Sequence, residues 1–442
     1  MKKHVLFLSY YFPPQRAIAA VRTGAMARAL VEADLKVTVV TIARELLVHN
    51  EGQALDLEDV LGSRINIIGT GHSWRNLVPG IVHTAPNNGL HWLIGGIFRR
   101  AVSFLSLDSE IGWRKHALAA VSAFKSGDVD IILSSGGPWI SHQIAAKISK
   151  RLKSPYVLDY RDLWSGNPHT PVNWRLITRM EHTLYRGAAA VITVAPSMQD
   201  IHRELFGNHP NAIVVTNGYD KYDCDNRAPT AFQDFAIIYA GQFIPPVRII
   251  DPLFMVIRRL MESQVSIPWG FHYYGMNVSY VQEAATRYGV QGKVHIHGHR
   301  TRREVLSAVK GSGLAVVVVS TAKVASPAEA GIMTGKIFEI IGLRTPYLIV
   351  APQNADIRKI VETAGGGRAF CADEIGPMAQ YIYHLMKGLP ISYKTPEKYS
   401  WEHLGKNISD ILIAIDRVST ATIDIKSASR DAGFAGHKDC FR

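Results

Sequence analysis

The sequence predicts an α/β protein of two doubly wound, Rossmann-like domains facing each other across a cleft. Three observations predict it. The 442 residues exceed one ordinary domain and suggest two. Apolar strand-like runs alternate with helix-like segments from Val5 to Thr216, and the alternation restarts at Phe235. Between the two series lies the polar stretch Asp220 to Asp234, which reads as a linker.

The first series opens on Val5-Leu6-Phe7-Leu8-Ser9-Tyr10, a continuous apolar run suited to a parallel sheet buried on both faces. Pro13-Pro14 breaks it. Val21, Ala25, Met26, Ala29 and Leu30 then recur at helical spacing, and Lys36 to Thr41 is the next strand. Strand, helix and strand make a right-handed βαβ unit. Its first loop lies at the carboxyl edge of the sheet, where open α/β sheets bind ligands. Residues 65–69 are a candidate third strand. Asp130 to Ser135 is a strand ending in Gly136-Gly137-Pro138, and a helix follows through Ile144 to Leu152. Pro155 to Tyr160 is a strand, 177–187 a helix, Ala190 to Val194 a strand and Pro196 to Leu205 a helix. Ala212 to Thr216 closes the series, with Asn217-Gly218 as a turn.

The second series predicts strands at Phe235–Ala240, Trp269–Tyr274, Val294–His297 and Leu314–Val319, with helices at Pro252–Glu262 and Thr301–Gly311. A helix from Thr334 to Gly342 and the apolar strand ending at Val350 follow, and residues 355–363 continue the alternation. Ser400 opens a last helix through Ile415. The domains are therefore placed at 1–222 with a returning helix at 400–418, and at 230–395, with a flexible tail at 420–442.

Composition narrows the function. Lys and Arg number 49 against 37 acids, a net charge of +12. Such a balance favours nucleic acid, anionic lipid or phosphorylated ligands. No Lys/Arg-rich tract or zinc-finger spacing is present, which turns the reading from nucleic acid to an anion-binding cleft or a membrane surface. Cys224, Cys371 and Cys440 form neither a disulfide framework nor a metal motif, so a reducing cytoplasm is expected. The short apolar run after Met1-Lys2-Lys3 is not of signal-peptide type. No stretch of about 20 uncharged apolar residues predicts a membrane span. His91 to Arg100 and Ile111 to Lys115 mix aromatic and aliphatic residues with Arg and Lys, as an interfacial amphipathic helix does. A core helix with snorkelling basic ends is the alternative.

The most informative stretch runs from Met333 to Val350. Lys336 falls in the first turn of the predicted helix, where the helix dipole disfavours a cation. An anion bound there reverses the argument, because free N–H groups and the dipole both favour phosphate. Glu339, about one turn on, can face the same cleft. A cation and N–H groups for phosphates, with a carboxylate for sugar hydroxyls, suit a nucleotide sugar. An ordinary surface Lys–Glu pair is the alternative.

These elements resemble the GT-B glycosyltransferases, most closely the family-4-like retaining enzymes of bacterial surface polysaccharide synthesis, over residues 4–418. The resemblance is carried by Tyr10-Tyr11-Phe12-Pro13-Pro14 with Ala20-Val21-Arg22-Thr23, by Ser134-Ser135-Gly136-Gly137-Pro138 with Ser141-His142, and by Asp159-Tyr160-Arg161-Asp162-Leu163-Trp164. Val191 to Val194, Thr216-Asn217-Gly218-Tyr219-Asp220, Tyr239-Ala240-Gly241-Gln242-Phe243 and Gly335-Lys336-Ile337-Phe338-Glu339 follow in the family's order. It implies a donor site of Gly241, Gln242, Arg248, Gly275, His299, Thr334, Gly335, Lys336, Ile337 and Glu339. Gly241 would admit the diphosphate, Arg248 and Lys336 would supply charge, and Glu339 would bind the ribose. His142, Arg161 and Asp162 are the catalytic candidates, gripping acceptor and transferred sugar; Pro14, Arg16 and Arg22 are candidates for acceptor or phosphate. Structural roles stay open for His142, Asp162, Arg22 and Arg248.

Departures from the family pattern are Ala19-Ala20 where many relatives carry a Gly pair, Gln242 where many carry a basic residue, and Glu329 ten residues before Glu339 rather than eight. The resemblance implies a nucleotide-diphosphate sugar as co-substrate, no cofactor and no metal. The expected partners are a glycan or lipid-linked acceptor and an anionic membrane surface, with no nucleic acid. The expected function is transfer of a sugar to a lipid-linked glycan acceptor by a cytoplasmic enzyme, peripheral on the inner membrane face. A nucleotide-sugar epimerase of the same fold and a non-catalytic two-lobed binding protein are the rivals.

Overall fold

The computed structural model describes residues 2–15, 18–46, 64–71, 110–167, 174–263 and 265–415. Two lobes follow, each an open, all-parallel sheet flanked by helices. The first holds β1 (His4–Leu8), β2 (Lys36–Ile42), β3 (Ile65–Thr70), β4 (Ile131–Ser135), β5 (Tyr156–Tyr160), β6 (Ala190–Thr193) and β7 (Ala212–Val214). Its order is β3-β2-β1-β4-β5-β6-β7, so the winding reverses between β1 and β4. Every residue of β1, β4, β5 and β6 is buried, as in a sheet covered on both faces, the polar Ser134, Ser135 and Asp159 included. Its helices are α1 (Ile18–Glu32), α2 (Trp113–Ala120), α3 (Ile140–Leu152), α4 (Trp174–Gly187) and α5 (Pro196–Phe206).

The linker is not wholly irregular. It carries α6 (Lys221–Asp225), capped by the Asp220 carboxylate accepting from the Asp223 N–H at 2.9 Å. Cys224 is the buried side of this turn. One buried residue among polar neighbours leaves no helical period to read.

The second lobe holds β8 (Phe235–Ala240), β9 (Trp269–Tyr274), β10 (Val294–Gly298), β11 (Leu314–Val318), β12 (Tyr347–Val350) and β13 (Gly367–Phe370). The order β10-β9-β8-β11-β12-β13 places its switch point between β8 and β11. Helices α7 (Asp251–Glu262), α8 (Val278–Tyr288), α9 (Arg302–Gly311), α10 (Pro327–Ala330), α11 (Gly335–Gly342), α12 (Ile357–Ala364) and α13 (Ile375–Met386) complete it. Two of these escape periodicity. The buried face of α8 is Val281, Ala284 and Ala285, a stripe too small to stand out. Gly376 and Pro377 look like breakers at the head of α13, but proline is tolerated in a first turn, where its missing N–H would be unpaired anyway.

The chain then crosses back. Helix α14 (Trp401–Ala414) lays Trp401, Leu404, Ile408 and Leu412 into the apolar layer formed by Val5, Phe7, Met26 and Leu30 of the first lobe. The two crossings are joined to each other. The Tyr219 N–H donates to the Tyr399 carbonyl at 2.9 Å, and the Trp401 N–H donates to the Tyr219 carbonyl at 3.0 Å.

Of the two stretches read as interfacial, His91–Arg100 lies outside the described residues, as does the tail from 420 onward. In the other, Trp113 is fully buried and its indole N–H donates to the Thr70 hydroxyl at 2.8 Å. It is a core anchor, while Arg114 and Lys115 remain exposed. Among the described residues no helix is long and apolar enough to cross a membrane.

Candidate active site

The carboxyl ends of β8 and β11 frame the second-lobe site. Gly241 follows β8 with φ of +147°, a backbone conformation open to glycine and strained for other residues. The space a Cβ would take is filled by the ammonium group of Lys336, reaching over from the first turn of α11. That ammonium lies 5.9 Å from the centre of the Tyr239 ring. Thr334 precedes α11 in extended conformation, yet its side chain makes no capping bond to the helix. The helix thus opens on N–H groups without a side-chain cap, beside a lysine whose pKa is lowered to about 8 by burial and then by the nearby Arg248 charge. Two like cations in a half-buried site are unfavourable alone; an anion between them removes the conflict.

Arg248 hangs from a closed loop around the cis Pro245–Pro246 bond, with the Ile244 and Arg248 backbones exchanging hydrogen bonds of 2.8 and 2.9 Å. Its guanidinium reaches the Val319 carbonyl, just past β11, at 3.4 Å. Gly275 follows β9, and its N–H donates to the Gly298 carbonyl at 3.0 Å. His299 is exposed just beyond, and Gln242 is exposed beside Gly241. Ile337 is fully buried, so its side chain anchors α11. Glu339 is held by Arg302: its Oε1 accepts from Nε at 2.9 Å and pairs with Nη2 at 2.7 Å. Arg302 in turn pairs with Asp223 of α6 at 2.7 Å.

The amino end of α11 stands where the lobes meet. Met333 packs against the cores of both. Its carbonyl accepts from the Asn217 side-chain amide at 3.3 Å. The Ser197 N–H, at the head of α5, donates to Asp356 at 2.8 Å. These first-lobe residues follow β6 and β7, so the carboxyl edge of the first sheet faces the second lobe. Arg161 and Asp162 follow β5 on that same edge.

Residues 19–218 match the family model described as a glycosyl transferase 4-like domain. The first lobe is a glycosyl transferase 4-like domain, and the whole chain has the GT-B fold. Solved structures agree on the fold over nearly the whole length. Sucrose-phosphate synthase from Thermosynechococcus elongatus superposes with a TM-score of 0.57 at 12% identity, covering 94% of this chain and 95% of that one. HepE from Anabaena, solved with UDP and glucose, gives 0.50 at 15% identity, covering 95% and 97%. A protein from Listeria monocytogenes described as a UDP-N-acetylglucosamine 2-epimerase gives 0.55 at 13% identity, covering 96% and 100%. No curated protein sequence matches.

Within the glycosyl transferase 4-like domain, the first-lobe candidates separate into core and edge. His142 is fully buried on α3 between Trp139 and Tyr160, and its Nδ1 meets the Ser134 hydroxyl at 2.9 Å. Burial pushes its pKa down to about 3, against the pull of Asp159. The ring is neutral and closed off from solvent in this arrangement, with its Nε2 left without a hydrogen-bond partner. Arg22 is likewise a core residue, 3% exposed. It is paired with Asp159 at 2.6 Å and donates to the Val215 and Thr216 carbonyls. Its donors tie α1 to β5 and to the chain just past β7.

Arg161 clamps the turn after β4. Nε donates to the Gly136 carbonyl at 2.8 Å and Nη2 to the Gly137 carbonyl, just before the cis Gly137–Pro138 bond. Asp162 is exposed at the edge, and Pro14, half-buried, follows β1 on the same edge. Arg16 lies outside the described residues. Three participants were not among the candidate residues: Tyr239 beneath Lys336 and Asn217 across the lobes, both inside motifs the sequence displays, and Arg302 on Glu339. The last sits directly after a capping threonine, Thr301, where a basic residue reads as a solvated helix start.

Proposed function

We propose that this enzyme moves a hexose or related sugar, with retention of configuration, from a nucleotide-diphosphate donor to a lipid-linked glycan acceptor in surface polysaccharide synthesis. The observation that carries the donor is the cradle of Gly241, Lys336 and the uncapped amino end of α11 at the junction of the lobes. As the C1–O bond to the diphosphate breaks, negative charge grows on the leaving phosphate. Lys336, Arg248 and the N–H groups of α11 are aimed where that charge develops, which lowers the transition state more than the ground state. The acceptor hydroxyl bonds to C1 from the leaving-group face and its proton passes to the departing phosphate oxygen. Asp162, exposed on the opposing edge, orients that hydroxyl. These cations fill the role a metal would take at the diphosphate, so no ion is required there.

UDP and glucose in HepE support the donor class, and retention rests on the family-4-like resemblance. Peripheral binding to the inner membrane face is supported by exposed Arg114, Lys115 and Lys147 beside Ile111 and Leu118, which line one open surface hollow.

A panel of nucleotide sugars screened by thermal shift tests the donor, since a ligand bound only by the folded state raises its apparent stability. One sugar nucleotide should stabilise the parent and fail to stabilise Lys336→Ala; equal shifts in both would overturn the site. Formation of a 2-epimer without acceptor would replace transfer by the epimerase reading. Flotation with anionic liposomes at low and high salt tests the membrane surface, and indifference to lipid removes it.

A further inference from the structure

The second lobe gathers side chains that the donor site does not use. Asp234, the residue before β8, His272 on β9 and His295 on β10 bring a carboxylate and two imidazoles together, with one ligating atom of each within 4.8 Å of the others. Strand register does this. His295 pairs opposite His272 and Phe235 opposite Trp269, so all three residues reach one face of the sheet in its amino half. Gly270 stands between them: a Cβ there would meet Asp234 Oδ2 at 2.7 Å and His295 Nε2 at 2.8 Å. Glycine at 270 keeps open the hollow that these ligands surround.

His272 supplies the second observation. It is 7% exposed, its Nδ1 lies 3.0 Å from His297 Nε2, and its Nε2 is buried without a hydrogen-bond partner. That nitrogen points at Asp234 Oδ1, 3.5 Å away. Where His272 donates Nδ1–H to His297, its Nε2 lone pair faces that carboxylate and a cation between them satisfies both; the opposite tautomer places an Nε2–H there instead.

We propose that Asp234, His272 and His295 bind one divalent cation of the zinc class. A tetrahedral zinc with bonds of about 2.0–2.2 Å holds its ligand atoms about 3.3–3.5 Å apart. The spacing of His272 and Asp234 already fits, and the exposed His295 ring closes the third side by turning. Two imidazole nitrogens and one carboxylate suit zinc over magnesium or calcium, and water takes the fourth position. His297 fixes the tautomer and orientation of His272, as outer partners of metal-bound histidines do. The ion joins the chain leaving the linker to β9 and the edge strand β10. It sits at the end of the sheet opposite Gly241, so it acts on stability and not on transfer.

The test uses the full-length enzyme stripped with a chelator. Calorimetric titration with zinc should show one equivalent bound, cobalt should give the visible absorption of a four-coordinate site, and zinc should raise Tm by several degrees. His295→Ala, at an exposed position that leaves folding intact, should lose the equivalent, the absorption and the Tm rise. Gly270→Ala keeps every ligand but fills the hollow, and should weaken zinc at least tenfold. UDP binding should be the same with and without zinc. No stoichiometric uptake by the parent, uptake unchanged in His295→Ala, or UDP binding that needs the ion would each overturn the proposal. None of these outcomes depends on which sugar is transferred.

Discussion

The ammonium of Lys336 occupies the space that a side chain at Gly241 would need. Neither residue can change without disturbing the other. Gly241→Ala adds a Cβ at a φ of +147° and displaces the lysine. Strain of about 1–3 kcal/mol is expected from the backbone alone. Donor affinity should fall at least tenfold, read by calorimetry with UDP; an unchanged affinity would show that the phosphates bind elsewhere.

Lys336 sets a pH limit. Its pKa is lowered to about 8 in the folded chain, against 10.5 for the ordinary side chain. Above pH 8 the free enzyme loses the charge, so donor affinity should fall about tenfold per pH unit. For stability the sign is opposite. Below pH 8 the folded chain holds a half-buried charge that the unfolded chain solvates freely, and this penalty fades as pH rises from 8 to 10.5. Lys336→Met should therefore abolish UDP binding yet raise stability at pH 7, on the order of 2 kcal/mol after allowing for partial exposure. A variant no more stable than the parent by chemical denaturation would refute this.

Arg302 holds Glu339 in place through two contacts. Arg302→Met frees the carboxylate to rotate without touching the phosphates. The donor KM should rise several-fold with kcat nearly unchanged, because ribose binding is shared by ground and transition states. A drop confined to kcat would place Arg302 at the reacting centre instead.

Arg22 and Asp159 form an ion pair sealed in the first lobe. Burial alone would raise the Asp159 pKa, but Arg22 and the Ser135 hydroxyl hold it below the usual carboxylate range. The pair's stabilisation is present above the ordinary carboxylate pKa and is lost as pH falls through the folded value. Arg22→Met leaves a buried carboxylate unpaired and should cost about 3–5 kcal/mol, measured by urea unfolding. If the loss were under about 1 kcal/mol, the pair would not be the latch described.

The two lobes and the α11 stretch were legible because buried parallel strands and an oddly placed lysine leave local signals. Gly241 and Lys336 lie far apart in sequence, yet each marks itself, one as a glycine after a strand and one as a cation at a helix start. Arg22 and His142 do not. Arg22 meets a carboxylate 137 residues away, and nothing in its helix distinguishes an inward arginine from an outward one. His142 lies among Ser141 and Ile144, a neighbourhood that fits a site or a core equally; only the packing of Trp139 and Tyr160 closes it off. The helices α8 and α13 were hidden by alanines and by a proline that is harmless in a first turn.

The backbone bonds that Tyr219 shares with Tyr399 and Trp401 fasten the two crossings between the lobes to each other. Two strands of chain fastened side by side make a strap that flexes across its width but resists torsion. The expected closure is a jaw-like swing about one axis, with the distant rim travelling farthest. Scattering curves with and without UDP should fit a single rotation about this strap; a best fit requiring twist would mean that the fastening gives way.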